Sequence, residues 1–184
     1  MSNIHATAVV DPKAEIGEDV EIGPLCVIGP DVKIGKGCKI ISQCSVIGHT
    51  TLGEGNTLYP FVSIGTPAQD YEYQGHRSFL NIGDKNVFRE GFTANCGTKP
   101  ETETVIGNEC FFMANSHVAH NCIVGNGVIM ANDALIAGYS EIHDKAILSG
   151  HTAVHQFCKV GRMAMIGGNV AISKDLPPFM MAFT

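Results

Sequence analysis

The sequence predicts an all-β chain wound as a parallel β-helix, and three observations carry that prediction. From Ile106 to Ala171 the chain divides into eleven consecutive six-residue blocks, IGNECF through IGGNVA, each opening on an apolar residue. Within those blocks the second place is mostly small and the fifth is always small or β-branched. An α-helix wants apolar residues every three or four positions and an exposed strand every two, so a strict six fits neither. A fixed short period instead marks a solenoid, and a period of six marks a β-helix. The third observation is composition: 21 glycines, no tryptophan and 7% aromatics in 184 residues. That suits narrow strands joined by tight corners, where glycine takes positive φ at no steric cost.

Taken in order, the register starts at once. Ile4, Val10, Ile16, Ile22, Ile28, Ile34, Ile40, Val46, Leu52, Leu58 and Ile64 fall six apart. Their fifth positions are small except at Asn56, whose side-chain amide is expected to bond the backbone at a corner. The pattern then breaks at TPAQDYEYQGHRSFL, residues 66–80, resumes at Ile82 and Phe88, and breaks again at CGTKPETET, residues 96–104. Both breaks read as loops leaving the solenoid wall, and loops on a rigid scaffold are where binding residues concentrate. After Ala171 comes ISKDLPPFMMAFT, where the double proline is expected to end the strand pattern and leave an apolar tail that packs on a neighbour or once preceded more chain. The whole of 1–184 is expected to be one β-helix domain. About 26 blocks at three per turn make between eight and nine coils, a prism on the order of 40 Å long.

Charge and cysteine usage exclude several classes. The net charge is −6, with only 12 Lys and Arg spread thinly. Nucleic-acid binding needs clustered positive charge, so no nucleic-acid partner is expected, and acidity argues mildly against an acidic protein partner. No run of roughly 18 apolar residues is present, so no membrane span is expected. The start, MSNIHATAVVDPKAE, lacks the basic-then-apolar order of a signal peptide, which points to a cytoplasmic chain. Cys26, Cys38, Cys44, Cys110, Cys122 and Cys158 all sit at fifth positions, as small core residues. Only Cys96 is out of phase, and no CxxC pair occurs, so neither disulfides nor zinc is expected.

A solenoid core is structural, so chemistry must lie on the outer wall or between subunits. Of eight histidines, His5, His49, His76, His143 and His151 are scattered. His117, His120 and His155 lie in the regular part, in NSHVAHNC and VHQFC. Imidazole is the natural general base near neutral pH, and His120 stands at a third position, outside the core. A metal set fails on count, because His117 and His120 are three apart on an extended chain with no adjacent carboxylate. No metal or cofactor is expected.

The segments IGPLCVIGPDVKIG, SIGTPAQDYEYQG, NSHVAHNCIVGN, TAVHQFCKVG and IGGNVAISKDLPP also carry a resemblance. The chain is similar, over nearly its whole length and in the same order, to the UDP-N-acetylglucosamine acyltransferases among the hexapeptide-repeat transferases. The resemblance implies a left-handed β-helix that assembles as a homotrimer with active sites between subunits. It implies transfer of a 3-hydroxyacyl chain from acyl carrier protein to the 3-position of UDP-N-acetylglucosamine, the first step of lipid A biosynthesis. It implies that His120 is the general base and that the Gly138 backbone N–H meets the developing oxyanion. Gln69 and Asp70 match nucleotide-sugar contacts; His117, His155 and Gln156 match substrate-site residues; Gly168 matches the place where a missing side chain leaves room for an acyl tail. The departures are Asn121 where an acid commonly follows the base, Asn95 for a histidine, Cys96 for an arginine, Tyr139 for a histidine and Glu72 for a lysine. The C-terminal helical domain that the resemblance implies, with its basic residues, is not in the sequence. Three other readings stay open: a hexapeptide acyltransferase using another nucleotide sugar or an acyl-CoA, a weakly active scaffold homologue, and a γ-type carbonic anhydrase, which the histidine spacing disfavours.

Overall fold

The computed structural model describes residues 2–183. The chain is a left-handed parallel β-helix of short strands, most of them two residues long, in three flat sheets of ten, nine and eight strands. The first sheet runs from Asn3–Ile4 to Met181–Ala182, the second from Val9–Val10 to Ala171–Ile172, and the third from Glu15–Ile16 to Lys159–Val160. Each strand pairs with strands one coil away, three blocks along the chain, as in Ile22↔Ile40, Val27↔Ser45 and Lys33↔Thr51.

The period of six follows from this winding. First-position residues such as Ile22, Leu58, Val118 and Ile136 are at most 1% exposed, because each strand turns that side chain inward. Fifth-position residues meet at the inner corners, where space is small, and all six in-phase cysteines are buried there with free thiols. Asn56 is fully buried and donates its amide to Gly53 O and Gly83 O, both at 2.9 Å. Asn86 repeats the device one coil on: its Nδ2 donates to Asn56 Oδ1 and Gly107 O, while its Oδ1 accepts the Cys110 N–H. Phe88, Phe92 and Phe112 fill the centre with rings 4.8–5.1 Å apart.

Fourth positions carry the turn. Asp19, Leu25, Gln43, Asn115, Asn121, Asp133, Tyr139, Lys145, Phe157 and Met163 all hold φ between 53° and 66°, a left-handed conformation unusual for bulky side chains. Third-position N–H groups point away from the ladder, and the corner from third to first sheet satisfies them with side chains. There Asp84 Oδ1 accepts from Glu54 N–H, Asn108 Oδ1 from Asp84 N–H, and Asn126 Oδ1 from Asn108 N–H, at 2.6–2.8 Å.

The tail corrects one expectation. The double proline does not end the strands: Leu176 bridges to Val160, Phe179 turns at φ 62°, and Met181–Ala182 pairs with Met165–Ile166. The prolines fall in the corner before Phe179, where a missing N–H breaks no ladder. Phe179, Met180, Met181 and Phe183 remain 55–62% exposed. No helix among the described residues is long and apolar enough to cross a membrane.

Candidate functional site

One corner of the prism, between the second and third sheets, differs from the other two. Both long excursions leave from it in successive coils, residues 67–78 between Thr66 and Phe79 and residues 96–102 between Asn95 and Glu103. The next three coils place His120, Gly138 and Gln156 at the same corner. The first loop reaches back over this row, so Gln69 and Asp70, His117 and His120, Gly138 and Gln156 line one cavity of about 460 Å³. Its floor is small and apolar, with Ala119, Ala137 and Ala153, and no Lys or Arg lines it.

His120 is 7% exposed. Its Nδ1 lies 3.1 Å from Asn121 Oδ1, and its Nε2 lies 3.4 Å from Asp70 Oδ2. Asp70 is itself fixed by a turn, its Oδ1 accepting the Glu72 N–H at 2.8 Å, so the other oxygen faces the imidazole. The Tyr139 ring meets His120 edge-on at 5.3 Å and stacks on Phe157 at 5.0 Å. Gly138 lies directly against the imidazole: a Cβ there would stand 2.4 Å from His120 Cε1. The Gly138 N–H takes no part in the backbone hydrogen-bond network, which leaves a donor free beside the imidazole. A base and an unused N–H in one cavity are the two parts needed to activate a hydroxyl and hold the oxyanion of an acyl transfer.

His117 lies one coil above Thr93, with Nδ1 2.7 Å from Thr93 Oγ1. Burial pushes its pKa below the ordinary histidine value, and repulsion from His120 adds to that; the Thr93 contact opposes them. Two candidate residues stand apart from the cavity. His155 is exposed and its Nδ1 lies 3.1 Å from Gln156 O. Gly168 sits at the corner between first and second sheets, where an added Cβ would meet only Gly150 O at 3.5 Å. Asn95 is buried and pins the root of the first loop, donating to Thr66 Oγ1 at 2.8 Å and Pro67 O at 3.1 Å. Burial pushes the Cys96 thiol up to about 11, so it is no nucleophile near neutral pH. Among the described residues no group of three or more His, Cys, Asp or Glu is placed to hold a metal ion.

Sequence reasoning missed the stacked pair Tyr139 and Phe157. The signal was present, since both occupy fourth positions one coil apart. It was masked because a fourth position tolerates almost any side chain.

Comparison with known proteins agrees with this geometry. The bacterial transferase hexapeptide (six repeats) family matches residues 13–44 and 103–138. The acyl-[acyl-carrier-protein]–UDP-N-acetylglucosamine O-acyltransferase of Anaeromyxobacter sp. is 52% identical over 96% of this chain and 69% of its own length. The protein of the same name from Helicobacter pylori is 51% identical over 97% of this chain and 67% of its own length. The structure of the Francisella novicida UDP-N-acetylglucosamine acyltransferase superposes with a TM-score of 0.93 at 37% identity, over 97% of this chain and 65% of that one. The Bacteroides fragilis enzyme gives 0.95 at 39%, over 98% and 71%. The chain thus spans roughly two thirds of the length of these relatives.

Proposed function

This chain belongs to the UDP-N-acetylglucosamine O-acyltransferase family, and from that premise we propose that it moves a 3-hydroxyacyl group from acyl carrier protein to the 3-hydroxyl of UDP-N-acetylglucosamine, opening lipid A biosynthesis. The observation that carries the proposal is the cavity in which His120 lies against Gly138, whose N–H is unused. His120 Nε2 takes the proton of the acceptor hydroxyl as its oxygen attacks the thioester carbonyl. The Gly138 N–H donates to the oxyanion, which develops only in the transition state, and such a donor contributes about 10²–10³ in rate. Collapse of the tetrahedral intermediate expels the carrier's thiolate, and His120 returns the proton to that sulfur.

Asp70 and Gln69 take the sugar's hydroxyls, the substrate displacing Asp70 from its present contact with His120. His117, held neutral by burial, donates or accepts a substrate hydrogen bond without adding charge. Gln156 closes the far side of the cavity, and His155 extends the substrate surface beyond it. Gly168 leaves space for the acyl tail. The diphosphate must find its cations outside the residues that line this cavity.

A homotrimer with its sites between subunits accords with this requirement. The outer face of the first sheet supports it: Val87, Phe111, Ile129, Ile147, Met165 and Met181 stack in register as an apolar ladder, where the lower coils carry Glu21 and Lys39. Such a ladder is suited to burial against another copy. The third sheet is charged at its two ends instead, with Lys33 on Glu15 and Lys159 on Glu141 at 2.9 Å. We place the assembly in the cytoplasm, where both the carrier protein and reduced thiols are found.

The proposal is tested by incubating the protein with 3-hydroxyacyl carrier protein and UDP-N-acetylglucosamine and locating the new ester by NMR. Acylation at the 3-oxygen is the expected outcome. An untouched UDP-N-acetylglucosamine, with another nucleotide sugar or an acyl-CoA consumed in its place, overturns it.

A further inference from the structure

Asn121 stands beside the base, and a neutral amide in that position is ordinarily a fault. An amide can present its NH₂ group as readily as its oxygen. A histidine that faces the NH₂ takes the tautomer protonated on its far nitrogen, with no lone pair left for a substrate. The same exchange in a serine-protease triad lowers turnover about 10⁴-fold for this reason.

The geometry here removes the choice. The backbone N–H of Thr98, in the second loop, donates to Asn121 Oδ1 at 2.8 Å. A flipped amide would set two donors face to face at that distance, so the oxygen is fixed in place. That same oxygen lies 3.1 Å from His120 Nδ1, which must therefore carry the proton. Nε2 faces the cavity, where Asp70 Oδ2 stands 3.4 Å away without forming a hydrogen bond to it, so the lone pair is left for the substrate hydroxyl that displaces this carboxylate. The rest of the residue is held as well: the Asn121 N–H donates to the Thr104 hydroxyl at 2.8 Å, and its φ of 59° lies in a region that asparagine tolerates. Thr98 is 1% exposed, and His76 Nε2 donates to its carbonyl at 2.8 Å.

We propose that Thr98 and Asn121 form a tautomer lock, in which the second loop fixes the amide and Asn121 is the positioning residue that keeps His120 Nε2 free of its proton. The lock rests on His120 being the base of the reaction proposed above. It gives the second loop a task that needs no contact with substrate. It also accounts for how a chain lacking an acid after the base keeps a competent imidazole.

The test combines imidazole ¹⁵N spectra with kinetics. In the wild-type protein above the histidine titration range, His120 is expected as a single Nδ1–H tautomer. Asn121→Gly removes the amide while glycine keeps the positive φ without strain. It is expected to show mixed His120 tautomers and about tenfold or greater loss of kcat, with KM for UDP-N-acetylglucosamine nearly unchanged. Asn121→Asp is expected to restore the single tautomer and most of the turnover. It should also raise the acidic limb of the pH–rate profile, because a carboxylate stabilises the imidazolium. The other titratable groups facing His120, namely Asp70 from the first loop, His117 one strand before it and Tyr139 one coil above, are the same in all three proteins. An Nε2–H tautomer in the wild type overturns the lock, as does an Asn121→Gly protein with wild-type kcat and a single tautomer. If the wild type acylates no UDP-N-acetylglucosamine the reaction assignment fails, yet the spectra still decide the lock.

Discussion

Gly138 has no side chain because His120 occupies the space one would fill. An added Cβ would meet Cε1 at 2.4 Å and Nε2 at 2.6 Å. Those atoms belong to a ring that can swing, so Gly138→Ala should cost little stability while pushing the proposed base off its mark. Misplacing a catalytic group by about 1 Å can cost 10²-fold. Gly138→Ala is therefore expected to lose about that factor in kcat with a nearly unchanged melting temperature, and turnover within about twofold of wild type would contradict the placement. His117 makes a different prediction. Its pKa is depressed in the fold, chiefly by burial, so the unfolded chain takes up the proton first. Above the ordinary histidine value of about 6.5 both states are neutral and His117 has no effect; stability falls as pH drops below that value toward the folded pKa. Melting temperatures from pH 7.5 to 5 should fall more steeply for wild type than for His117→Asn, and parallel slopes would contradict the burial argument.

Among the elements, the corners hold more information than the strands. Two-residue strands contribute an inward and an outward side chain each, and the hexad shows both in the sequence. Hence the core, the buried cysteines and the Asn56 amide were legible before any coordinates. What the hexad does not record is which corner a block belongs to, because all three corners share one period. Only the two interrupted blocks break that symmetry, and they mark the corner where His120, Gly138 and Gln156 line up. The contacts that cross between coils, Asp70 to His120 and Thr98 to Asn121, span 23 to 50 residues and have no periodic signature. Asn86 is the plainest omission, since it sits at a fifth position as Asn56 does. Asn86→Ala would leave the Cys110 N–H and the Gly107 carbonyl without their present partners inside the core, while Asn56 Oδ1 keeps the backbone N–H of residue 86. At about 1–3 kcal/mol for each buried group left unmade, the loss should be on the order of 3 kcal/mol in denaturant unfolding; a loss below about 0.5 kcal/mol would show that the ladder relaxes or takes in water.

For the molecule as a whole, the outer faces are unequal, with charge at the two ends of the third sheet and an apolar ladder on the upper first sheet. If that ladder joins copies, wild-type protein should sediment as a trimer at micromolar concentration, and Ile147→Lys, at a position 37% exposed in the single chain, should shift it toward monomer with the fold intact. A wild-type monomer would contradict the assembly. The central claim, that His120 is the base of an acyl transfer to UDP-N-acetylglucosamine, has a more direct test. It is the rate at which wild type and His120→Ala move a labelled 3-hydroxyacyl group from carrier protein to that acceptor, with both proteins folded and of equal mass. The predicted result is transfer by the wild type and a loss of about 10²–10⁴-fold in the variant. Equal rates for the two proteins would contradict it.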